Sequence, residues 1–260
     1  MGRFRLGITQ RIYKYFRNWP DNKIYFNLGC KLIFMQKPSL ISGFAYFLAG
    51  ILFILSPLFN SEIFAFILKC AIIPSLLIFF LINRGKEIHK EDKYIISALI
   101  FSWSGDVLLQ IKNGGDLMFL LGLVAFLITH IFYSIVFFGV PGVFIFLKTK
   151  KMILLMIILF GSLTLYTILP GLGSMQIPVT LYGIIITGMV IAALSRFGKV
   201  NDSSYLLVFL GAFLFLISDS IIAFSKFKQA FPFSGIMIMG TYITAQFLIV
   251  YGLMKQNKSD

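Results

Sequence analysis

The sequence is poor in charge. Only 13% of its 260 residues are Asp, Glu, Lys or Arg, while 58% are hydrophobic. Soluble domains carry nearly twice that charge fraction, and the mean hydropathy of +0.91 points to an integral membrane protein. Acids are scarcest: ten stand against 23 Lys and Arg, a formal net charge of +13. The basic residues are dispersed through loops between apolar segments, so membrane topology and anionic lipid headgroups account for them and nucleic acid does not. Histidine is nearly absent too. With only His89 and His130, and His89 in a loop, a three-histidine zinc site cannot be built. The two cysteines, Cys30 and Cys70, stand in no metal or redox spacing. No Gly-x-Ser-x-Gly elbow and no Gly-rich phosphate loop occurs, which removes serine-hydrolase and nucleotide-driven readings. Neither a metal nor a cofactor is expected.

What the chain has in abundance is long apolar runs. Eight follow Pro38, at roughly 40–59, 63–82, 94–111, 117–140, 151–169, 178–195, 204–224 and 233–254. Each approaches the ~20 residues that a helix rising about 1.5 Å per residue needs to cross a bilayer. The runs are unbroken and lack period-two alternation, so helices are expected, not strands. Short joints with Pro or Gly, such as Pro141-Gly142 and Pro170-Gly171, make neighbouring helices antiparallel. The expected fold is an all-α membrane bundle of eight transmembrane helices over 38–254. A basic, aromatic-rich arm (1–37) precedes it and a polar tail (255–260) follows. The arm's apolar pieces are too short to span and are expected to lie along anionic lipid headgroups. It lacks a signal-peptide core, and Leu6 stands where a myristoylation signal needs Ser or Thr.

Basic residues test that count. With eight spans, the arm, the loops at 83–93, 148–151 and 196–203 and the tail lie on one side and hold nineteen Lys and Arg. Only Lys112, Lys226 and Lys228 fall on the other side, and Lys69 lies within a span. The asymmetry places both termini in the cytoplasm. The membrane would be the plasma or inner membrane in a bacterium, and the endoplasmic reticulum in a eukaryote.

Two aspartates interrupt this apolar background: Asp106 in Phe101-Ser-Trp-Ser-Gly-Asp106-Val-Leu-Leu, and Asp219 in Phe215-Leu-Ile-Ser-Asp219-Ser-Ile-Ile. Each costs about 2.5–3.5 kcal/mol on insertion scales, so a role is expected of both. The plain structural alternative is a carboxyl neutralised by a lysine. The chemical reading is an acid/base pair, since two neighbouring carboxyls tend to keep one proton between them. Counting along antiparallel spans sets Lys69, Asp106, Tyr182 and Asp219 at similar depth in the non-cytoplasmic half. His130, Tyr133, Tyr242 and Gln246 lie nearer the middle. Lys69 suits a counter-ion or a phosphate ligand; the tyrosines, His130 and Gln246 suit hydrogen bonding between helices or to a substrate. Ser97-Ala-Leu-Ile-Phe101 before Asp106 echoes Gly211-Ala-Phe-Leu-Phe215 before Asp219, as a four-plus-four duplication would. A proton-coupled lipid or small-molecule transporter could use the same acids.

Across roughly residues 40–254 the chain resembles the lysoplasmalogenase, or YhhN-like, membrane protein family. The pieces are Lys69 with Pro74, Ser102-x-x-Gly105-Asp106-Val-Leu-Leu, Gly122-Leu-x-x-Phe126-x-x-x-His130-x-x-Tyr133, Pro178-x-x-x-Tyr182-Gly183, Gly211-Ala-x-x-Phe215-x-x-Ser218-Asp219-Ser, and Tyr242-x-x-x-Gln246. Cys70, where the family commonly has proline, and the long basic arm depart from its pattern. The resemblance implies an eight-helix enzyme that hydrolyses the vinyl-ether bond of lysoplasmalogens to a fatty aldehyde and a glycerophospho-ethanolamine or -choline. Such a membrane-lipid substrate needs one un-ionised acid and one anion, and no metal. That reading favours Asp106 as proton donor and Asp219 as anion. Lys69 then binds the phosphate, and His130, Tyr133, Tyr182, Tyr242 and Gln246 line the substrate site.

Overall fold

The computed structural model describes residues 37–85, 88–111, 115–142 and 145–256. Apart from Lys37, the expected basic arm lies outside the described residues, as do 257–260 of the tail. Residues 1–41 form a unit of their own, of which only the first turn of α1 is described; everything below concerns residues from Ser42 onward. The described residues contain eight long helices: α1 (Lys37–Leu55), α2 (Glu62–Arg84), α3 (Lys90–Gln110), α4 (Gly115–Phe138), α5 (Lys151–Ile168), α6 (Gln176–Leu194), α7 (Asp202–Phe227) and α8 (Ser234–Met254). Single turns occur between some of them, including Ser56–Phe59 and Phe146–Thr149.

Seven of the eight are long and apolar enough to cross a membrane. The exception is α3, whose first turn reads Lys90-Glu91-Asp92-Lys93 and whose second half carries Asp106. That polar turn has a local job. Asp92 is fully buried, pairs with Arg84 at 2.7 Å and accepts the His89 backbone N–H at 2.9 Å, tying the end of α2 to the start of α3. Elsewhere the caps are those that free N–H groups call for: Ser61 Oγ accepts from Phe64 N, and Asn201 Oδ1 accepts from Ser204 N.

The helices close into a ring. α2 packs on α3, α3 on α4, α4 on α6, α6 on α7, α7 on α8, and α8 back on α2, with α3–α4 and α7–α8 the most extensive pairs. Between membrane helices no hydrophobic force favours association, so close packing and hydrogen bonds do the work. At Gly211 a Cβ would stand 2.8 Å from the Ala245 carbonyl oxygen and 2.9 Å from the Ile249 nitrogen. Only glycine lets α7 and α8 approach backbone to backbone there. A second device handles Pro74, which lies inside α2 and leaves the Cys70 carbonyl without its helical N–H partner. The indole Nε1–H of Trp103 on α3 donates to that oxygen at 3.0 Å, so α2 runs on uninterrupted.

α1 and α5 stand outside the ring and are the two least buried of the apolar helices. α1 leans on α8, with the Tyr46 hydroxyl donating to the Ile243 carbonyl at 2.7 Å and Phe47 against Phe247. α5 packs on α6 and α7.

Candidate active site

All eight residues singled out in the sequence face the interior of the ring, and each ring helix supplies at least one. Lys69 comes from α2, Asp106 from α3, His130 and Tyr133 from α4, Tyr182 from α6, Asp219 from α7, and Tyr242 and Gln246 from α8. They do not form one cluster. They form two.

The first is built on Asp106, which is 2% exposed. Its Oδ1 lies 3.0 Å from Lys69 Nζ, and its Oδ2 accepts the Tyr242 hydroxyl at 2.7 Å. Because that phenolic proton goes to Asp106, the Ser102 hydroxyl must donate to the Tyr242 oxygen, 2.8 Å away. Ser102 in turn accepts from Gln246 Nε2 at 2.7 Å, and Gln246 Oε1 accepts from Tyr133 at 2.7 Å. Every donor in this chain points towards one carboxylate. Lys69 is also 3.0 Å from the Met239 sulfur and sits over the rings of Phe53 and Tyr242. The plain structural alternative for Asp106, neutralisation by a lysine, is therefore what the geometry contains.

The second cluster is built on Asp219. Its Oδ2 accepts the Tyr182 hydroxyl and lies 3.3 Å from His130 Nε2. His130 Nε2 is also 2.8 Å from the Tyr182 oxygen, so two polar groups that touch each other meet at one carboxyl oxygen. His130 Nδ1 is buried with no hydrogen-bond partner, so the ring is anchored only on its Asp219 side. Asp219 is the more open of the two carboxyls, with 11% of its side chain exposed.

The expectation of a proton shared between the two aspartates takes a different form here. Among the described residues no hydrogen bond joins them, and each meets its own basic partner, Lys69 or His130. Phe126 and Phe215 link the two clusters. Their rings pack edge to face at 6.2 Å, and Phe215 touches both Tyr242 (5.4 Å) and His130 (4.8 Å). Phe126 and Phe215 stood in the family-like pieces of the sequence without a role, and Met239 was missed there. Met239, Tyr242 and Gln246 fall at i, i+3 and i+7 on one face of α8, a spacing that would have grouped Met239 with the other two. Apolar residues are too common here for Phe126 and Phe215 to stand out.

Open space reaches both clusters. A cavity of about 1120 Å³ lies at the ends of α1, α3 and α7 and the starts of α2 and α8. Its polar lining includes Asn60, Ser61, Glu62, Gln110 and Lys226, and Lys69 reaches it from within. Two smaller apolar pockets, about 40 and 30 Å³, both include Asp219 and Tyr182 in their walls. No group of three or more His, Cys, Asp or Glu able to hold a metal occurs among the described residues.

The chain is 33% identical over 174 residues to lysoplasmalogenase TMEM86A of Bos taurus, covering 65% of this chain and 69% of that protein. It is 31% identical over 171 residues to lysoplasmalogenase TMEM86A of Homo sapiens, with the same two shares. It is 31% identical over 138 residues to lysoplasmalogenase TMEM86B of Homo sapiens, 53% of this chain and 54% of that protein. No solved structure matches. The family profile covers residues 64–253, leaving out the arm and α1 but spanning every residue of both aspartate clusters, and by that match the chain belongs to the YhhN family.

Proposed function

We propose that this multi-pass membrane protein hydrolyses the vinyl-ether bond of lysoplasmalogens, releasing a fatty aldehyde and a glycerophospho-base. The observation that carries the reading is Asp219, an acid inside the bundle with one oxygen held by Tyr182 and His130 and apolar pockets around it. Relatives named lysoplasmalogenase supply the substrate class.

The chemistry asks for little. A proton added to the vinyl carbon remote from oxygen leaves an oxocarbenium ion; water adds to the carbon bonded to oxygen, and the resulting hemiacetal collapses to aldehyde and glycerol hydroxyl. The reading exchanges the aspartate roles favoured by the sequence. Asp106 is held as an anion by Lys69 and Tyr242 and lines none of the three cavities described above. Asp219 is assigned the proton-donor role, through Oδ1, because Tyr182 and His130 occupy Oδ2 and the apolar pockets open at this residue. Once the proton leaves, the carboxylate that forms is already met by Tyr182 and His130, which is stabilisation aimed at developing charge. The same carboxylate then takes a proton from the attacking water, drawn from the large cavity. Lys69 keeps one ammonium hydrogen for a phosphate at the cavity's inner wall, and Asp106 fixes its position.

A proton-coupled transporter fits this geometry less well. The hydroxyl chain leading to Asp106 passes through the Gln246 amide, which does not hand on protons as hydroxyls do. Eight spans with both termini cytoplasmic complete the proposal and place the large cavity at the non-cytoplasmic surface.

Turnover in deuterium oxide tests the proposed step. The protein, purified into lipid nanodiscs with an alkenyl-glycerophosphocholine, is expected to release aldehyde carrying one deuterium on the carbon next to the carbonyl. Aldehyde without that label contradicts protonation at carbon.

A further inference from the structure

We infer that the hydrocarbon chain of the substrate leaves the bundle between α5, α6 and α7, so that most of it stays in the bilayer while its first carbons are held at Asp219. This rests on the hydrolase reading and adds the chain-binding subsite. The three cavities form a series. The large polar cavity and the 40 Å³ pocket share Leu109, Phe119 and Ile222. The 40 and 30 Å³ pockets share Val179, Tyr182, Asp219 and Ala223. Asp219 is therefore the point at which a path from the polar cavity meets the last pocket, which is walled by Thr164, Leu165 and Ile168 of α5 and by Gly183 and Thr187 of α6.

An amphiphile fits that series in one direction. Its headgroup belongs with the polar lining and Lys69, its ether linkage at Asp219, and its chain beyond. Each small pocket has room for only two or three waters, so a long chain cannot be enclosed and must emerge. The helix at that exit is the one best suited to it. α5 stands outside the ring, contributes none of the polar site residues, and is the least buried of the apolar helices. It is also kept close to α6 at the pocket: a Cβ on Gly183 would lie 2.8 Å from Leu165 Cδ2. The first carbons are thus held at Asp219, before this constriction, and the chain beyond them is held only where it passes between α5 and α6. It follows that the enzyme reads the first carbons closely and the remaining chain length weakly.

Filling the last pocket from the α5 side tests this without touching the polar residues. Thr164→Phe puts a ring into it, and Leu163→Phe, one residue back on a side chain 56% exposed, is the control. Aldehyde release is measured in nanodiscs with hexadecenyl- and butenyl-glycerophosphocholine. Thr164→Phe is expected to lower kcat/KM for the hexadecenyl substrate by about tenfold and to leave the butenyl substrate within about twofold, while Leu163→Phe changes neither. Wild-type rates on both substrates in Thr164→Phe, or equal losses on both, overturn the inference.

A second arm needs neither turnover nor the variant. A lysophosphatidylcholine with a mid-chain diazirine is photolysed in the wild-type protein, with excess unmodified lysolipid as competitor. Competed label on residues 155–168 of α5 is expected, and competed label confined to α2, α3 and α8 overturns the chain path. If the wild-type protein releases aldehyde from neither substrate, the hydrolase reading falls, and the photolabel alone decides the path.

Discussion

Lys69 and Asp106 show how a costly pair is kept inside an apolar bundle. The ammonium is met by a carboxylate at 3.0 Å, a sulfur and two ring faces, and the carboxylate by Tyr242 as well. Breaking one partner of a buried pair leaves the other charge exposed to the apolar interior, typically about 3–5 kcal/mol. Asp106→Asn is therefore expected to lower the thermal unfolding midpoint in detergent. The double change Lys69→Met with Asp106→Leu should recover most of it. A single variant as stable as the parent contradicts the ion pair. At the other carboxyl the expected effect is on rate. Tyr182→Phe removes one of the two donors to Asp219 Oδ2 and should cost about tenfold in kcat with little change in the unfolding midpoint. The identity of these residues was legible because ionisable groups in apolar runs are conspicuous. Their partners were not. Depth along a helix is countable, but rotation about its axis is not, and rotation decides that Asp106 meets Lys69 while Asp219 meets His130.

Among the elements, α7 and α8 make the clearest test of packing. Gly211 faces backbone atoms of Ala245 and Ile249, which cannot move aside as a side chain can. Gly211→Leu is expected to separate the two helices and destabilise the protein by about 1–3 kcal/mol, read as a lower unfolding midpoint. Because Asp219 and Tyr242 lie on these helices, activity should fall with it. The helices themselves were read with little error from long apolar runs, and the ends differ by a few residues where caps decide. α3 is the informative case. Its charged first turn keeps it from the apolar standard its neighbours meet, yet that turn is where Asp92 secures Arg84. Pro74 does not interrupt α2, because Trp103 supplies the missing donor. A hydrogen bond from a different helix leaves no trace in the local sequence.

From Ser42 onward, the described residues form a ring of six helices that each supply the site, with α1 and α5 leaning on its outside. Asp106 and Asp219 occupy the middle helices of two successive triplets, α2–α3–α4 and α6–α7–α8, which fits the faint internal echo in the sequence. The proposed arrangement of eight spans has a direct readout. With Cys30 and Cys70 replaced, single cysteines at Ile88 and at Asp116, on either side of α3, should react with a membrane-impermeant maleimide from opposite sides of sealed vesicles; labelling from one side contradicts eight spans. The closure of the ring was not legible, since α4 meets α6 and α8 meets α2 across large sequence separations. The account as a whole depends on Asp219 acting as the proton donor at an apolar pocket. Its most direct test is aldehyde release from an alkenyl-lysophospholipid by purified Asp219→Asn in nanodiscs. A fall in kcat of about a hundredfold or more, with the unfolding midpoint preserved, is predicted; release at the wild-type rate would contradict it.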